Sequence, residues 1–149
     1  MTSAPQETRS RAPWHLWLVG VVALLWNAMG AYDYLMTQTR NQAYMGKFSP
    51  EQLEYFYGFP AWVVSAWAIA VWGAVLGSLL LLFRRAVAYW VFVVSFLCLL
   101  TTTFYNYVLT DGLRIMGGAG GAAFSAAIVL IALLLILYSA AQKKRGVLG

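Results

Sequence analysis

Four long apolar segments dominate this chain of 149 residues, and they constrain its fold more than any other feature. They cover residues 14–36, 59–83, 86–110 and 119–141. Each is longer than the ~20 residues that a helix needs to cross ~30 Å of hydrocarbon. A backbone in lipid must satisfy its own hydrogen bonds, which favours helices and excludes open strands. The segments therefore predict an all-α integral membrane protein, folded as an antiparallel four-transmembrane-helix bundle.

The composition agrees with a membrane location and excludes several classes of function. Hydrophobic residues make up 62% of the chain and charged residues only 10%, whereas a soluble domain of this size is about a quarter charged. The single cysteine, Cys98, excludes an intrachain disulfide and any Cys-pair metal site. The sequence has no phosphate loop, metal-ligand cluster or Ser/His/Asp set, so we expect no enzyme activity, no cofactor and no metal.

The distribution of basic residues predicts the orientation of the bundle in the membrane. Seven of the ten lie in the terminal tails or between the second and third segments: Arg9, Arg11, Arg84, Arg85, Lys143, Lys144 and Arg145. Three lie on the opposite side: Arg40, Lys47 and Arg114. The side richer in Lys and Arg stays cytoplasmic, so we expect both termini there. Because they flank apolar segments, these residues indicate topology, and we expect no nucleic-acid partner.

The chain therefore divides into a membrane domain and two tails. We expect residues 1–12 to form a disordered cytoplasmic tail, residues 13–142 to form the four-helix membrane domain, and residues 143–149 to form a basic cytoplasmic tail.

The one sizeable loop, residues 37–58, carries a helix-start pattern. In Ser-Pro-Glu-Gln, beginning at Ser49, serine is a preferred cap, proline suits the first turn and Gln52 can complete a capping box. Aromatic residues follow, and Gly58 is suited to the helix end. We predict a short helix over about residues 50–57, lying at the outer membrane interface.

Small residues predict how the spans pack, because helices in lipid associate through close contact and interhelical hydrogen bonds. The candidate packing positions are Gly30 in the first span, Gly73 and Gly77 in the second, and Gly121 in the fourth. Gly73 and Gly77 form a G-x-x-x-G pattern, which suits either packing within the bundle or a homodimer.

Polar residues of the first and third spans point to a possible ligand site at the outer end of the bundle. Asp33 lies roughly 30 Å along the first helix, at the outer interface, and Asn27 lies roughly 9 Å deeper, within hydrocarbon. Thr102 and Asn106 approach the same side from the third span. Together with Tyr34, they predict a pocket for a small polar solute, with amides and a carboxylate for hydroxyl groups and aromatic walls for a sugar's apolar face.

A second interpretation of the same residues is structural, and the residues alone favour it. Asn27 would then hydrogen-bond to another helix, and the tyrosines around the polar residues would form an interfacial belt: Tyr32, Tyr34, Tyr105 and Tyr107. The two interpretations differ in what Asn27 contacts.

Most of the chain resembles a family of short four-span bacterial inner-membrane proteins that often carry the label "sugar transporter". The resemblance is carried by WNAMGAYDYLMTQTRNQAYMG, from Trp26, and by SPEQLEYFYGFPAWVVSAWAIAVWGAVLGSLLLLFRR, from Ser49. It implies a multi-pass protein of the bacterial inner membrane and a solute-transport function, and it supplies no binding residues. Four helices are few for a sugar path, so transport implies a homo-oligomer.

Two functions remain open on these grounds. The first is a small transporter or solute-binding protein that works as a homodimer. The second is a non-catalytic accessory subunit that packs against a larger membrane complex through a groove containing Trp62, Trp67 and Trp72.

Overall fold

The computed structural model describes residues 10–149, and within that range the chain is helical and contains no strand. Residues 1–9 of the predicted disordered tail lie outside the described range. The elements are α1 (Trp14–Gln38), α2 (Gln42–Met45), α3 (Pro50–Tyr57), α4 (Ala61–Leu82), α5 (Val87–Phe104), a π-helical segment (Tyr105–Leu109), α6 (Gly112–Ile115) and α7 (Gly118–Lys144).

Four of these helices are long and apolar enough to cross a membrane. They are α1, α4, α5 with its π-helical continuation to Leu109, and α7. This confirms four helices with the length and hydropathy predicted from the sequence, and the predicted ends agree with the observed ends to within three residues. The agreement follows from the bilayer itself, which fixes the length and the hydropathy of each span.

A proline or a glycine precedes three of the four long helices, and Ala86 precedes α5. Pro13 and Pro60, both in extended conformation, directly precede α1 and α4. Gly117, which precedes α7, has a φ of +102°, a backbone conformation that residues with a Cβ rarely adopt. These residues lie where the chain turns from one segment into the next long helix.

The long helices pack in sequence, α1 on α4, α4 on α5 and α5 on α7. Their main apolar core lies at the end of the bundle that holds the start of α1 and the end of α7. The buried residues of this core are Leu16, Ala23, Leu81, Ala88, Phe92, Leu135, Val147 and Leu148. We call this end the packed half of the bundle.

The described ends of the chain close the packed half. Val147 and Leu148 are almost fully buried, and Gly149 exchanges backbone hydrogen bonds with the α4–α5 link. The side chain of Arg84, in that link, donates to the carbonyl oxygens of Val147 and Ser10. Residues 147–149 of the predicted basic tail are therefore folded against the bundle, and residue 10 is held beside them.

The segment between α1 and α4 folds back over the opposite end of the bundle. Ser49 and Gln52 form the capping box of α3, which covers the range predicted for a helix. The Gln52 side chain also donates to the carbonyl oxygen of Ile115 in α6, at 3.0 Å. Arg114 pairs with Glu51 at 2.8 Å, although both side chains are more than half exposed and the pair contributes little stability.

The four glycines predicted to pack helices have different surroundings. A Cβ on Gly77 would lie 2.7 Å from the Phe92 ring, and one on Gly73 would lie 3.2 Å from Ser95, so both adjoin α5 closely. A Cβ on Gly30 would meet only Val71, at an ordinary 3.7 Å. Gly121 lies against the backbone of Met116, just before its own helix, and its carbonyl oxygen lies 3.4 Å from the Tyr107 hydroxyl group in the third span.

Candidate functional site

A cavity of about 520 Å³ lies between the long helices at the end covered by α2 and α3. We call this end the hollow half of the bundle. Four of the five residues predicted for a ligand site line the cavity: Asn27, Asp33, Thr102 and Asn106. Gly30 also lines it. The volume falls within the range of about 300–1,000 Å³ that is typical of small-molecule sites.

Asn27 is held by α4 through the nitrogen of its side chain. That nitrogen lies 2.9 Å from Ser78 Oγ and 3.3 Å from the carbonyl oxygen of Ala74. Ser78 Oγ in turn donates to Ala74, at 2.8 Å, so it accepts from Asn27. Asn27 therefore joins two helices, while no residue in the described range donates a hydrogen bond to its carboxamide oxygen.

Asp33 lies near the loop end of the cavity and is capped by Tyr44, whose hydroxyl group donates to Asp33 Oδ1. Burial, followed by this hydrogen bond, raises the pKa of Tyr44, so the hydroxyl keeps its proton and remains a donor. Lys47 Nζ lies 3.9 Å from the centre of the Tyr44 ring, a cation–π contact. Carboxylate, hydroxyl and ammonium groups therefore meet at one wall of the cavity.

Tyr34 does not line the cavity with the other four predicted residues. Its ring packs edge-on against Trp67, with 4.9 Å between ring centres. Trp67 does line the cavity, so Tyr34 supports an aromatic wall from behind.

Thr102 is buried and lines the cavity, but its hydroxyl group donates to the carbonyl oxygen of Leu99, in its own helix, at 2.9 Å. Thr103, beside it, bonds the same oxygen at 2.8 Å. Both hydroxyl oxygens keep lone pairs that can accept from a ligand. Thr101, by contrast, is exposed on the outer face of α5.

Asn106 belongs to the π-helical segment that ends the third span, and a loop residue holds it in place. The hydroxyl group of Tyr55, in α3, donates to Asn106 Oδ1 at 2.7 Å and lies 2.7 Å from Thr110 Oγ1. A Cβ on Gly112 would lie 2.8 Å from that hydroxyl, so glycine makes room for it. The side-chain nitrogen of Asn106 has no acceptor within residues 10–149, so it is free to donate. Single turns of π-helix occur often at functional sites.

Sequence reasoning missed Tyr44 and Tyr55, which hold Asp33 and Asn106. Both tyrosines lie in the loop before α4, and only their concentration among other aromatic residues distinguishes them in the sequence. Sequence reasoning placed Tyr107 beside the polar residues but did not predict its partner: the Tyr107 hydroxyl group lies 2.6 Å from Ser125 Oγ and links the third span to α7. The positions of Tyr107 and Ser125 in the sequence do not predict a hydrogen bond between them.

Aromatic rings form a continuous wall between the loop and the cavity. Phe48, Phe56, Phe59 and Trp67 all line the cavity. Successive rings pack edge-to-face with centres 5.2–6.2 Å apart, a favourable arrangement for aromatic pairs. The wall is apolar, and the polar atoms are grouped beside it.

The chemistry available here is that of hydrogen bonding to a ligand. The described part of the chain brings together no group of three or more His, Cys, Asp or Glu side chains. The cavity offers a carboxamide oxygen, a carboxamide nitrogen, a carboxylate and hydroxyl groups, set against aromatic rings. Such a set binds groups that both donate and accept, such as alcohol hydroxyls.

No family model, curated protein or solved structure matches the chain in the comparisons that we made.

Proposed function

We propose that the protein binds a small hydroxyl-rich solute, such as a sugar, in the cavity of the hollow half. One observation carries this proposal: Asn27 and Asn106 line the same cavity, and each has one end of its carboxamide held by the protein and the other end uncommitted. Asn27 offers an acceptor and Asn106 offers a donor. A hydroxyl group needs both, and packing alone needs neither.

Asp33 and the aromatic wall support the same class of solute. A carboxylate is a strong acceptor for hydroxyl groups, and hydrogen bonds to charged groups contribute about 1.5–3 kcal/mol. The edge-to-face rings of Phe59 and Trp67 present flat apolar surface beside it, which suits the apolar face of a sugar ring. The resemblance to four-span proteins labelled as sugar transporters agrees with this choice.

We place the protein in the bacterial inner membrane, with both termini in the cytoplasm and its long helices antiparallel. The excess of Lys and Arg on the side of the termini supports the orientation. Contacts of His15 with Tyr138 and of Trp26 with Phe124 support opposite directions for α1 and α7, since residue numbers rise in one helix as they fall in the other. The position of α3 over the cavity supports its place at the outer interface.

We further propose that the protein transports its solute as a homo-oligomer. The cavity ends at the packed half, so a single chain has a binding site but no continuous path for a solute across the membrane. Gly73 and Gly77 are occupied by contacts with α5 in the same chain, so pairing of two copies would use another face.

The test is binding by the purified protein in lipid nanodiscs, followed through tryptophan fluorescence. Trp26 and Trp67 line the cavity and report on its occupation. Glucose, galactose, mannose and glycerol serve as probes. We expect saturable binding of at least one, and Asp33→Asn weakens it at least about tenfold, because one charge-assisted hydrogen bond is lost.

Asp111→Asn is the matched control, since Asp111 is exposed and pairs with Arg114 away from the cavity. It should leave the affinity unchanged. Asn27→Leu should also abolish binding while the helical content stays the same. The proposal fails if none of the four probes binds, or if Asp33→Asn and Asp111→Asn behave alike.

One observation favours the accessory-subunit function as a second candidate. The side chains of Trp62 and Trp72 are 50% and 42% exposed on the outside of α4, where a partner helix could cover them. Trp67 is not part of that face, because it turns towards the cavity. A larger complex that survives purification in mild detergent, and that Trp72→Ala dissociates, would support this candidate; a homogeneous homo-oligomer would contradict it.

A further inference from the structure

The hollow half opens sideways between α1 and α7. These two helices do not pack along their length, unlike the other neighbouring pairs. They meet through long side chains at two levels. His15 Nδ1 lies 2.5 Å from the Tyr138 hydroxyl in the packed half, and the rings of Trp26 and Phe124 are 6.1 Å apart in the hollow half.

Two exposed residues indicate that the cavity reaches the surface of the bundle through this gap. Met29 and Phe124 both line the cavity, and they are 65% and 60% exposed. Ile128 and Ala132 continue the α7 side of the gap, one and two turns further on. The gap is lined by apolar side chains, so nothing at this opening excludes a hydrocarbon chain.

The charged groups of the cavity and one of its two carboxamides lie away from the gap, whereas Asn27 and Ser125 lie next in sequence to the gap residues Trp26 and Phe124. Asp33, Lys47 and Asn106 lie towards the loop end, where α2 and α3 cover the cavity. The residues on α1 that line the cavity run from Trp26 to Thr37, which spans roughly 16 Å of helix. The site therefore has a polar compartment and an apolar side opening. A free sugar would occupy the polar compartment and leave the apolar opening empty.

We propose that the natural ligand is an amphiphile with a hydroxyl-rich head and a single alkyl chain. The head occupies the compartment of Asp33 and Asn106, and the chain leaves between α1 and α7 into the lipid. This inference rests on the proposed binding of hydroxyl-rich solutes and names the class of molecule: a glycolipid-like ligand that enters from the membrane. Covering of the polar compartment by Tyr44, Tyr55 and α3 is consistent with entry from the side.

The experiment uses an octyl glucoside that carries a photoreactive diazirine at the end of its chain. The full-length protein in nanodiscs is irradiated with this probe, and the labelled residues are mapped by mass spectrometry. We expect saturable labelling on α7 between Phe124 and Ala132. Excess methyl glucoside should compete, because it fills the head compartment, and octanol should not.

A pair of alanine variants on α7 tests the route of the chain. Ala132 lines the gap, and Ala132→Phe should reduce the saturable labelling at least about tenfold by filling it. Ala126 is exposed on the outer face, so Ala126→Phe should have no effect. If Ala132→Phe does not fold, the labelled positions on the unaltered chain still test the route of the alkyl chain.

The outcomes separate this inference from the proposed function. If methyl glucoside binds but the probe labels only lipid-facing positions such as Leu130 and Leu137 without saturation, the amphiphile is excluded and solute binding stands. If octanol competes as well as methyl glucoside, the site does not recognise the head, and the inference is overturned. If neither methyl glucoside nor the probe binds saturably, both proposals fail.

Discussion

The packed half and the hollow half of this bundle are built by the same four helices but filled in opposite ways. In the packed half, Leu16 and Leu81 are fully buried, and Val147 and Leu148 fold back to complete the core. In the hollow half, loop residues cover one end of a cavity of about 520 Å³ without filling it. Helices in lipid gain no hydrophobic free energy by associating, because lipid tails are as apolar as their side chains. Close packing must therefore stabilise the bundle, and the packed half supplies that packing. The hollow half is thereby free to hold a ligand.

The largest contrast is expected from truncating one leucine in each half. Leu81→Ala removes a fully buried side chain and leaves a void, which should lower the free energy of unfolding by about 2–5 kcal/mol. Leu99→Ala changes a side chain that already borders the cavity, and it should cost less than half as much. Both losses can be measured by titration with denaturing detergent in mixed micelles. Equal losses would show that the two halves do not differ in packing.

A smaller contrast is expected from adding one methyl group to a glycine in each half. Gly77→Ala places a Cβ 2.7 Å from the Phe92 ring, so the ring must move, at a cost of about 1–3 kcal/mol. Gly30→Ala meets only Val71 at 3.7 Å, and alanine gains up to about 1 kcal/mol over glycine in a helix. The same detergent titration should show destabilisation of the first variant and none of the second. The reverse order would contradict the distinction between these glycines.

The two halves also differ in how far the sequence predicts them. The four spans follow from hydropathy and length, because the membrane imposes both. The depth of Asn27 follows from counting residues, but its partner does not, since that depends on how α4 is rotated to bring Ser78 towards it. The structure shows that Asn27 both joins helices and lines a cavity, so the two interpretations of this residue are compatible.

The covering of the hollow half could not be predicted from residue patterns. Tyr44 and Tyr55 reach Asp33 and Asn106 only because the loop folds back over the bundle, and loop paths are not fixed by a repeating pattern. Tyr34 shows the converse case: its spacing from Asn27 places it on the same helical face, but its ring packs against Trp67. Neighbouring helices, and not the helical wheel alone, decide which side chains reach a cavity.

The finest test of the comparison uses two serines of α7, one in each half. Ser125 lines the cavity, and Ser139 is fully buried in the packed half. In a Cys98→Ala background, a cysteine replaces each serine in turn and is treated with a small water-soluble methanethiosulfonate. Ser125→Cys should react at least about tenfold faster than Ser139→Cys. This ratio is expected if the thiol at position 139 reacts only after a local opening that costs about 1.4 kcal/mol.

Glucose adds a second reading to the same experiment. If the solute occupies the cavity, it should slow the modification of Ser125→Cys and leave Ser139→Cys unaffected, because only the first thiol lies in the cavity. Equal reaction rates without glucose would mean that the cavity is closed to small solutes in the membrane. Slowing of both thiols by glucose would instead indicate a change of the whole bundle, and the distinction between the packed half and the hollow half would then be wrong.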